Sequence, residues 1–265
     1  MGNWHWTIES ITVFLFGTVV GSFLNVCIYR LPKRESVVLP PSHCPKCGKN
    51  IRWYDNIPLV SYVVLMGKCR ACKGKIGYRY PLVEILTAIL ITSLYAAFGI
   101  NAKFFAYSIL TCGLIVATFV DFDIQEIPDE ISLGGLAIGI IFSFAFPHIF
   151  GTASRVNGLA ASLLGVLAGG GAIYLMGFFG EIVFKKEAMG GGDVKLMAMI
   201  GSILGWKLAI FTFFAAPVFG SIVGIALKIK DGREIMPYGP FLSMAAVVSI
   251  FWGERILGAL FYGMR

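Results

Sequence analysis

Seven stretches of this sequence run for 17 to 25 residues without a single charged side chain, and that pattern constrains the fold more than any other feature. They are Ser10 to Tyr29, Ile85 to Ala102, Phe104 to Val120, Ile131 to Ser154, Val156 to Gly180, Leu208 to Leu227 and Ile235 to Gly253. A helix needs about 20 apolar residues to cross the hydrocarbon of a bilayer, so seven membrane spans are expected. Composition agrees. Only 14% of the 265 residues are charged and 57% are apolar, too little polar surface for a water-soluble globule, whose charged fraction is about 25%. A soluble cytosolic enzyme is excluded. The net charge of +7 bears on orientation and on anionic lipid, not on nucleic acid, and the partner it implies is the lipid bilayer. The opening MGNWHWTIE carries no cationic region, and no small-residue cleavage site follows the first run, so a cleaved signal peptide is not expected.

Lysine and arginine set the orientation. The segment Arg30 to Arg79 holds eleven of the 22 and should face the cytosol, with the N-terminus outside. Alternation then places Lys103 and Arg155 outside and Lys185 and Lys186 inside. The next basic cluster, Lys228, Lys230 and Arg233, also belongs inside, yet one long run separates it from Lys186. Another crossing is required. The candidate is Leu196 to Trp206, extendable back to Asp193; it reads as a short eighth span, with a re-entrant hairpin as the rival. The expectation is an all-α polytopic membrane bundle of about eight transmembrane helices, with a small cytosolic zinc-ribbon insertion. Three parts follow: a first transmembrane helix (1–30), a cytosolic zinc-binding domain (31–80) and a membrane-embedded domain (81–265).

The insertion contains Cys44-Pro-Lys-Cys47 and Cys69-Arg-Ala-Cys72, inside a 25-residue repeat, CPKCGKNI against CRACKGKI. Two thiolate pairs on tight turns supply the four ligands of a tetrahedral Zn²⁺, and a reducing cytosol disfavours disulfides. Four cysteines leave no open coordination position, so the metal's role is structural. Cys27 and Cys112 fall within spans and read as packing residues. The stretch Asn56 to Gly67 is apolar but only twelve residues long, so it lies on the membrane or packs on the ribbon.

Carboxylates at the edge of a membrane segment are costly and tend to be functional. Asp121 closes the third span, and Asp193 opens the short one directly after Gly190, Gly191 and Gly192; both fall at a cytosolic end. If they converge, repulsion leaves the pair sharing a proton, an arrangement that activates water between them and polarises an amide carbonyl. Three consecutive glycines permit positive φ and close backbone approach. Each acid alone also reads as a helix-end or solvent-facing carboxylate.

These residues carry a resemblance. The chain resembles the bacterial type IV prepilin peptidases, or leader peptidase/N-methyltransferases, of the GxGD aspartyl protease group. The matching blocks are GSFLNVCIYRLP (Gly21 to Pro32), the paired CxxC, NIPLVSYVVL (Asn56 to Leu65), RYPLVEILTA (Arg79 to Ala88), the Asp121 to Asp129 segment ending IPD, and GGGDVKL (Gly190 to Leu196). The resemblance implies that Asp121 and Asp193 are the catalytic pair, supported by Gly190, Gly192, Lys195 and Asp129. It further implies cleavage of the basic leader of prepilins or pseudopilins after Gly at the cytosolic face of the bacterial inner membrane, then methylation of the new N-terminus from S-adenosylmethionine. No glycine-rich nucleotide-binding fingerprint appears, so a methyl-donor pocket must be built from the ribbon, the first span and its Arg30 end. Gly21, Ser22 and Asn25 read equally as helix packing and as ligand contacts, and Glu84 equally as an anchor for Arg79 or Arg30 and as a substrate ligand. The alternative from another class is a zinc-ribbon transporter or scaffold that uses the carboxylates for proton coupling. One anomaly remains: DFDIQEIPDE, Asp121 to Glu130, holds five acids and no base. It reads either as a site that captures a basic leader or as an acidic turn starting a helix.

Overall fold

A computed structural model describes residues 3–185, 189–231 and 237–262. Lys186 and Arg233, which the charge argument uses, lie outside the described residues. In chain order the helices are α1 (Asn3–Arg30), α2 (Val60–Val64), α3 (Arg79–Phe98), α4 (Ala102–Ile124), α5 (Asp129–Ala145), α6 (Arg155–Phe184), α7 (Gly191–Asp231), α8 (Gly239–Val248) and α9 (Glu254–Tyr262). Among the described residues, six helical stretches are long and apolar enough to cross a membrane: Ile8–Lys33, Arg79–Phe98, Ala102–Ile124, Arg155–Val183, Gly191–Ile225 and Gly239–Phe261.

Six against an expected eight has two local causes. The run Ile131 to Ser154 is not one helix, because Phe146 leaves helical geometry (φ −129°, ψ 65°) and Pro147 opens a 3-10 turn, Pro147–Phe150. That leaves α5 at 17 residues. In α7 the backbone breaks at Gly205 (φ 77°, ψ 171°), a conformation open only to glycine. The segment 191–204 is therefore a helix in its own right, about 21 Å long at 1.5 Å per residue. With α5 and both halves of α7 counted, the described residues hold eight apolar helical segments.

The chain divides into two compact units, Met1–Phe104 and Phe105–Arg265. In the first, α1 lies along α3 through a GxxxG step. A Cβ on Gly17 would fall 2.7 Å from Ala88 Cα, and one on Gly21 2.7 Å from Glu84 Cα, so the two backbones touch where no side chain intervenes. The packing reading of Gly21 is the one its position supports. Asn25 Nδ2 donates to the Tyr80 carbonyl at 3.0 Å, and Glu9 accepts from the Tyr95 hydroxyl. Between these helices sit two knuckles that reproduce the 25-residue repeat atom for atom. His43 bridges Asn50 and Lys68 bridges Lys75; Cys44 N–H donates to Lys49 O, and Cys69 N–H to Gly74 O, each at 2.8–2.9 Å. Arg70 forks onto Asp55 at 2.7–3.1 Å, and that guanidinium holds the Asp55 carboxyl below its ordinary range. The α2 segment exposes Val60, Val63, Val64 and Met66, as expected of a stretch that lies on a membrane.

The second unit packs by small residues. On α5, Gly135 faces Met199 and Gly139 faces Ser202; on α6, Gly165 meets the Gly201 carbonyl, and a Cβ on Gly169 would fall 2.6 Å from Met197 O. Ser162 Oγ donates to Ser202 O at 2.8 Å. Close approach of this kind, not a hydrophobic drive, holds helices together in lipid. It leaves Leu196, Met197, Met199 and Ile200 fully enclosed, so the first half of α7 is the centre of its unit.

Candidate active site and metal centre

Within the second unit, Asp121 and Asp193 arrive from helices far apart in sequence. Asp121 lies in the last turn of α4, which ends when Gln125 turns to positive φ (55°) and its N–H closes on the Asp121 carbonyl at 3.0 Å. The Asp121 side chain is buried, 5% exposed, and its Oδ2 accepts the Gly239 N–H at 2.9 Å. Asp193 stands in the first turn of α7, its N–H bound to Gly190 O at 3.1 Å. Ile127, on the connection after α4, packs against both neighbourhoods: 3.2 Å from the Cβ position of Gly192 and 3.2 Å from that of Gly239. Asp121, bonded to Gly239, and Asp193, next to Gly192, thus flank one side chain, Ile127.

The glycines act by close approach alone. The expected positive φ is not found at Gly190, Gly191 or Gly192. Instead Gly192 lets α7 begin directly on Ile127, 3.2 Å from its Cβ position, while a Cβ on Gly190 would make only ordinary contact with Asp193 Oδ2 at 3.6 Å. Lys195 Nζ donates to Asp129 Oδ1 at 2.6 Å, tying the start of α7 to the start of α5. The two side chains are 40% and 56% exposed, so this pair adds little stability and serves register. All six residues expected at this site, Asp121, Asp193, Gly190, Gly192, Lys195 and Asp129, are therefore gathered in one unit.

Two further residues complete the surroundings and were not anticipated. Gly239 supplies the backbone donor to Asp121, and a Cβ there would stand 2.6 Å from Oδ2. Tyr238, just before it, has a buried hydroxyl with no hydrogen-bond partner among the described residues. A phenol keeps its proton at neutral pH, so this hydroxyl is available as a donor. The visible signal was Pro237-Tyr238-Gly239-Pro240, a turn-forming quartet at the mouth of an apolar run.

In the first unit, Cys44, Cys47, Cys69 and Cys72 bring their sulfurs within 4.8 Å of one another, with Cys44 and Cys72 at 3.9 Å. Tetrahedral Zn–S bonds of about 2.3 Å put sulfurs about 3.8 Å apart, so the four thiols fit zinc. The need for it is also evident. From residue 31 to residue 78 the only buried residue is Cys44, so the knuckles have no core of their own. Glu84 does not anchor Arg30: its Oε2 accepts the Leu59 N–H at 2.8 Å, while Arg30 donates to the carbonyls of Ser36 and Pro40 at 2.8 and 2.7 Å. Cys27 is buried in α1, as a packing residue would be.

Two family models match the chain. The bacterial peptidase A24 N-terminal domain matches residues 15–98, and the type IV leader peptidase family matches residues 108–225. A prepilin leader peptidase/N-methyltransferase of Pseudomonas aeruginosa is 37% identical, over 91% of this chain and 90% of its own. The enzyme of the same name in Myxococcus xanthus is 36% identical over 84% of this chain and 64% of its own. A type 4 prepilin-like proteins leader peptide-processing enzyme of Escherichia coli is 36% identical over 89% and 91%. No solved structure matches the chain.

Proposed function

We propose, since this chain belongs to the type IV leader peptidase family, that it is a membrane aspartic endopeptidase which removes the basic leader of prepilins or pseudopilins and methylates the N-terminus so freed. The observation that carries the peptidase half is the meeting of Asp121 and Asp193 around Ile127 and Gly239. Two carboxylates within reach of each other's charge share one proton. The ionised member takes a proton from a water held between them while the protonated member donates to the scissile carbonyl oxygen. Attack gives a tetrahedral centre, and its collapse, with proton return to the leaving nitrogen, releases the leader. Gly239 N–H fixes the orientation of Asp121 through these steps, and the Asp129 to Lys195 pair holds the helix that carries Asp193.

The names of the relatives, prepilin leader peptidase and N-methyltransferase, supply the substrate and the second activity. The charge pattern supports an inner-membrane protein with its N-terminus outside and both acids at the cytosolic end of their helices. Zinc, held by the four cysteines, would supply folding energy to the knuckles. S-adenosylmethionine would supply an electrophilic methyl group when bound. A proton-coupled transporter would spread its carboxylates along a path across the bilayer; here the two are gathered at one site.

The test is direct. Asp121→Asn and Asp193→Asn are each expected to lower cleavage of a synthetic prepilin by at least about a hundredfold, read as leader loss by mass spectrometry. Membrane insertion and zinc content should be unchanged. Retention of more than a few per cent of activity by either variant would overturn the pair.

A further inference from the structure

The first unit encloses a cavity of about 540 Å³ between the end of α1, the start of α3 and the knuckles, within the range of sites that hold cofactor-sized ligands. Two of its lining residues carry buried charges without counter-ions. Glu84 is 8% exposed; its carboxylate accepts the Leu59 N–H at 2.8 Å, and no ion pair to it is found among the described residues. Arg30 is 4% exposed and spends its bonds on backbone carbonyls of Ser36, Pro40 and Pro41. Those carbonyls take at most three of its five N–H donors, and no carboxylate pairs with it among the described residues. A buried charge left alone is costly. One cavity that carries an unpaired anion and an unpaired cation is suited to a ligand with both charges.

We propose that this cavity is the methyl-donor site, with Glu84 facing the cationic groups of S-adenosylmethionine and Arg30 its carboxylate. The inference rests on the methyl-transfer half of the function proposed above. The donor's amino-acid end is a zwitterion and its sulfonium adds a further positive charge. The acceptor amine of a cleaved pilin is cationic only and gives Arg30 nothing to bind. Tyr62 and Tyr80 also line the cavity, and aromatic rings attract a sulfonium. The transfer balances without an outside reagent. The neutral amine's lone pair forms the N–C bond, the S–C bond breaks with its electron pair kept on sulfur, and the methylated ammonium gives its proton to water.

Binding to the full-length protein in lipid nanodiscs, read by calorimetry with S-adenosylmethionine, tests this without reliance on turnover. Glu84→Gln keeps an acceptor oxygen for the Leu59 N–H and removes the charge. It should weaken binding at least about tenfold, the scale of a lost hydrogen bond to a charged group. Arg30→Lys keeps the charge but loses the planar fork, and should also weaken it. Zinc content equal to the wild type reports that each variant is folded. Binding by Glu84→Gln within twofold of the wild type overturns the proposal. So does intact donor binding with a raised KM for a Phe-initiated acceptor peptide, which would give Glu84 to the amine. If the wild-type protein neither binds the donor nor methylates the peptide, it is the methyl-transfer reading itself that falls.

Discussion

At the scale of single residues, the position with least room for change is Gly239. Its N–H holds Asp121 Oδ2 at 2.9 Å, and its missing Cβ is what lets that oxygen approach. Gly239→Ala forces either the carboxylate or the start of α8 to move. Since a displacement of about 1 Å can cost about a hundredfold in rate, kcat for a synthetic prepilin should fall by about that factor while the protein still inserts and binds zinc. A wild-type kcat would show that Asp121 is held by something else. Asp121 and Asp193 were legible in the sequence because a carboxylate at the end of an apolar run stands out against hydrocarbon. Gly239 and Tyr238 were not, because their contribution is a backbone N–H and a hydroxyl delivered from more than a hundred residues away. The repeat shows the same limit. Gly48 (φ 70°) and Lys73 (φ 57°) occupy equivalent turns, yet only the glycine announces positive φ.

Among the elements, the knuckles depend most on something other than packing. With Cys44 the only buried residue between 31 and 78, a metal on the four cysteines would supply what a core supplies elsewhere. Cys47→Ser or Cys72→Ser should release the metal, measured by a colorimetric chelator, and should damage methylation more than cleavage. The cysteines line or adjoin the cavity of the first unit, whereas both acids belong to the second. Equal loss of both activities would mean that the two units do not fold independently. Element boundaries show why charge counting succeeded for some helices and not for others. Parity of basic clusters required another crossing, placed at Leu196 to Trp206 and extendable back to Asp193; the structure breaks the helix at Gly205, within that stretch. Nothing in charge or hydropathy marks Phe146, where α5 stops, because the residues on either side of the stop are equally apolar. The Pro147 that follows is the physical signal.

For the molecule as a whole, charge is distributed unevenly, and the unevenness bears on substrate choice. The cytosolic side assigned by the orientation rule carries seventeen of the 22 basic residues, which repels a basic leader, while Asp121 to Glu130 concentrates five acids. Asp121 is held by Gly239, Asp129 is paired to Lys195, and Asp129 and Glu130 both stand in the first turn of α5, where a carboxylate meets the helix dipole favourably. The helix-start reading covers Asp129 and Glu130; Asp123 and Glu126 precede that helix and are exposed. Exposed charges contribute little to stability and act at a distance on charged ligands, so these two fit the capture of a cationic leader beside the scissile bond. Asp123→Asn combined with Glu126→Gln should raise KM for a basic-leader substrate roughly three- to tenfold at low ionic strength, about what two exposed charge interactions supply. The defect should shrink as salt approaches molar, where the Debye length falls to about 3 Å. A substrate with a neutral leader should be indifferent to both the substitutions and the salt. A KM unchanged across ionic strength would leave these acids as the solvated approach to α5 and move recognition of the leader's charge elsewhere.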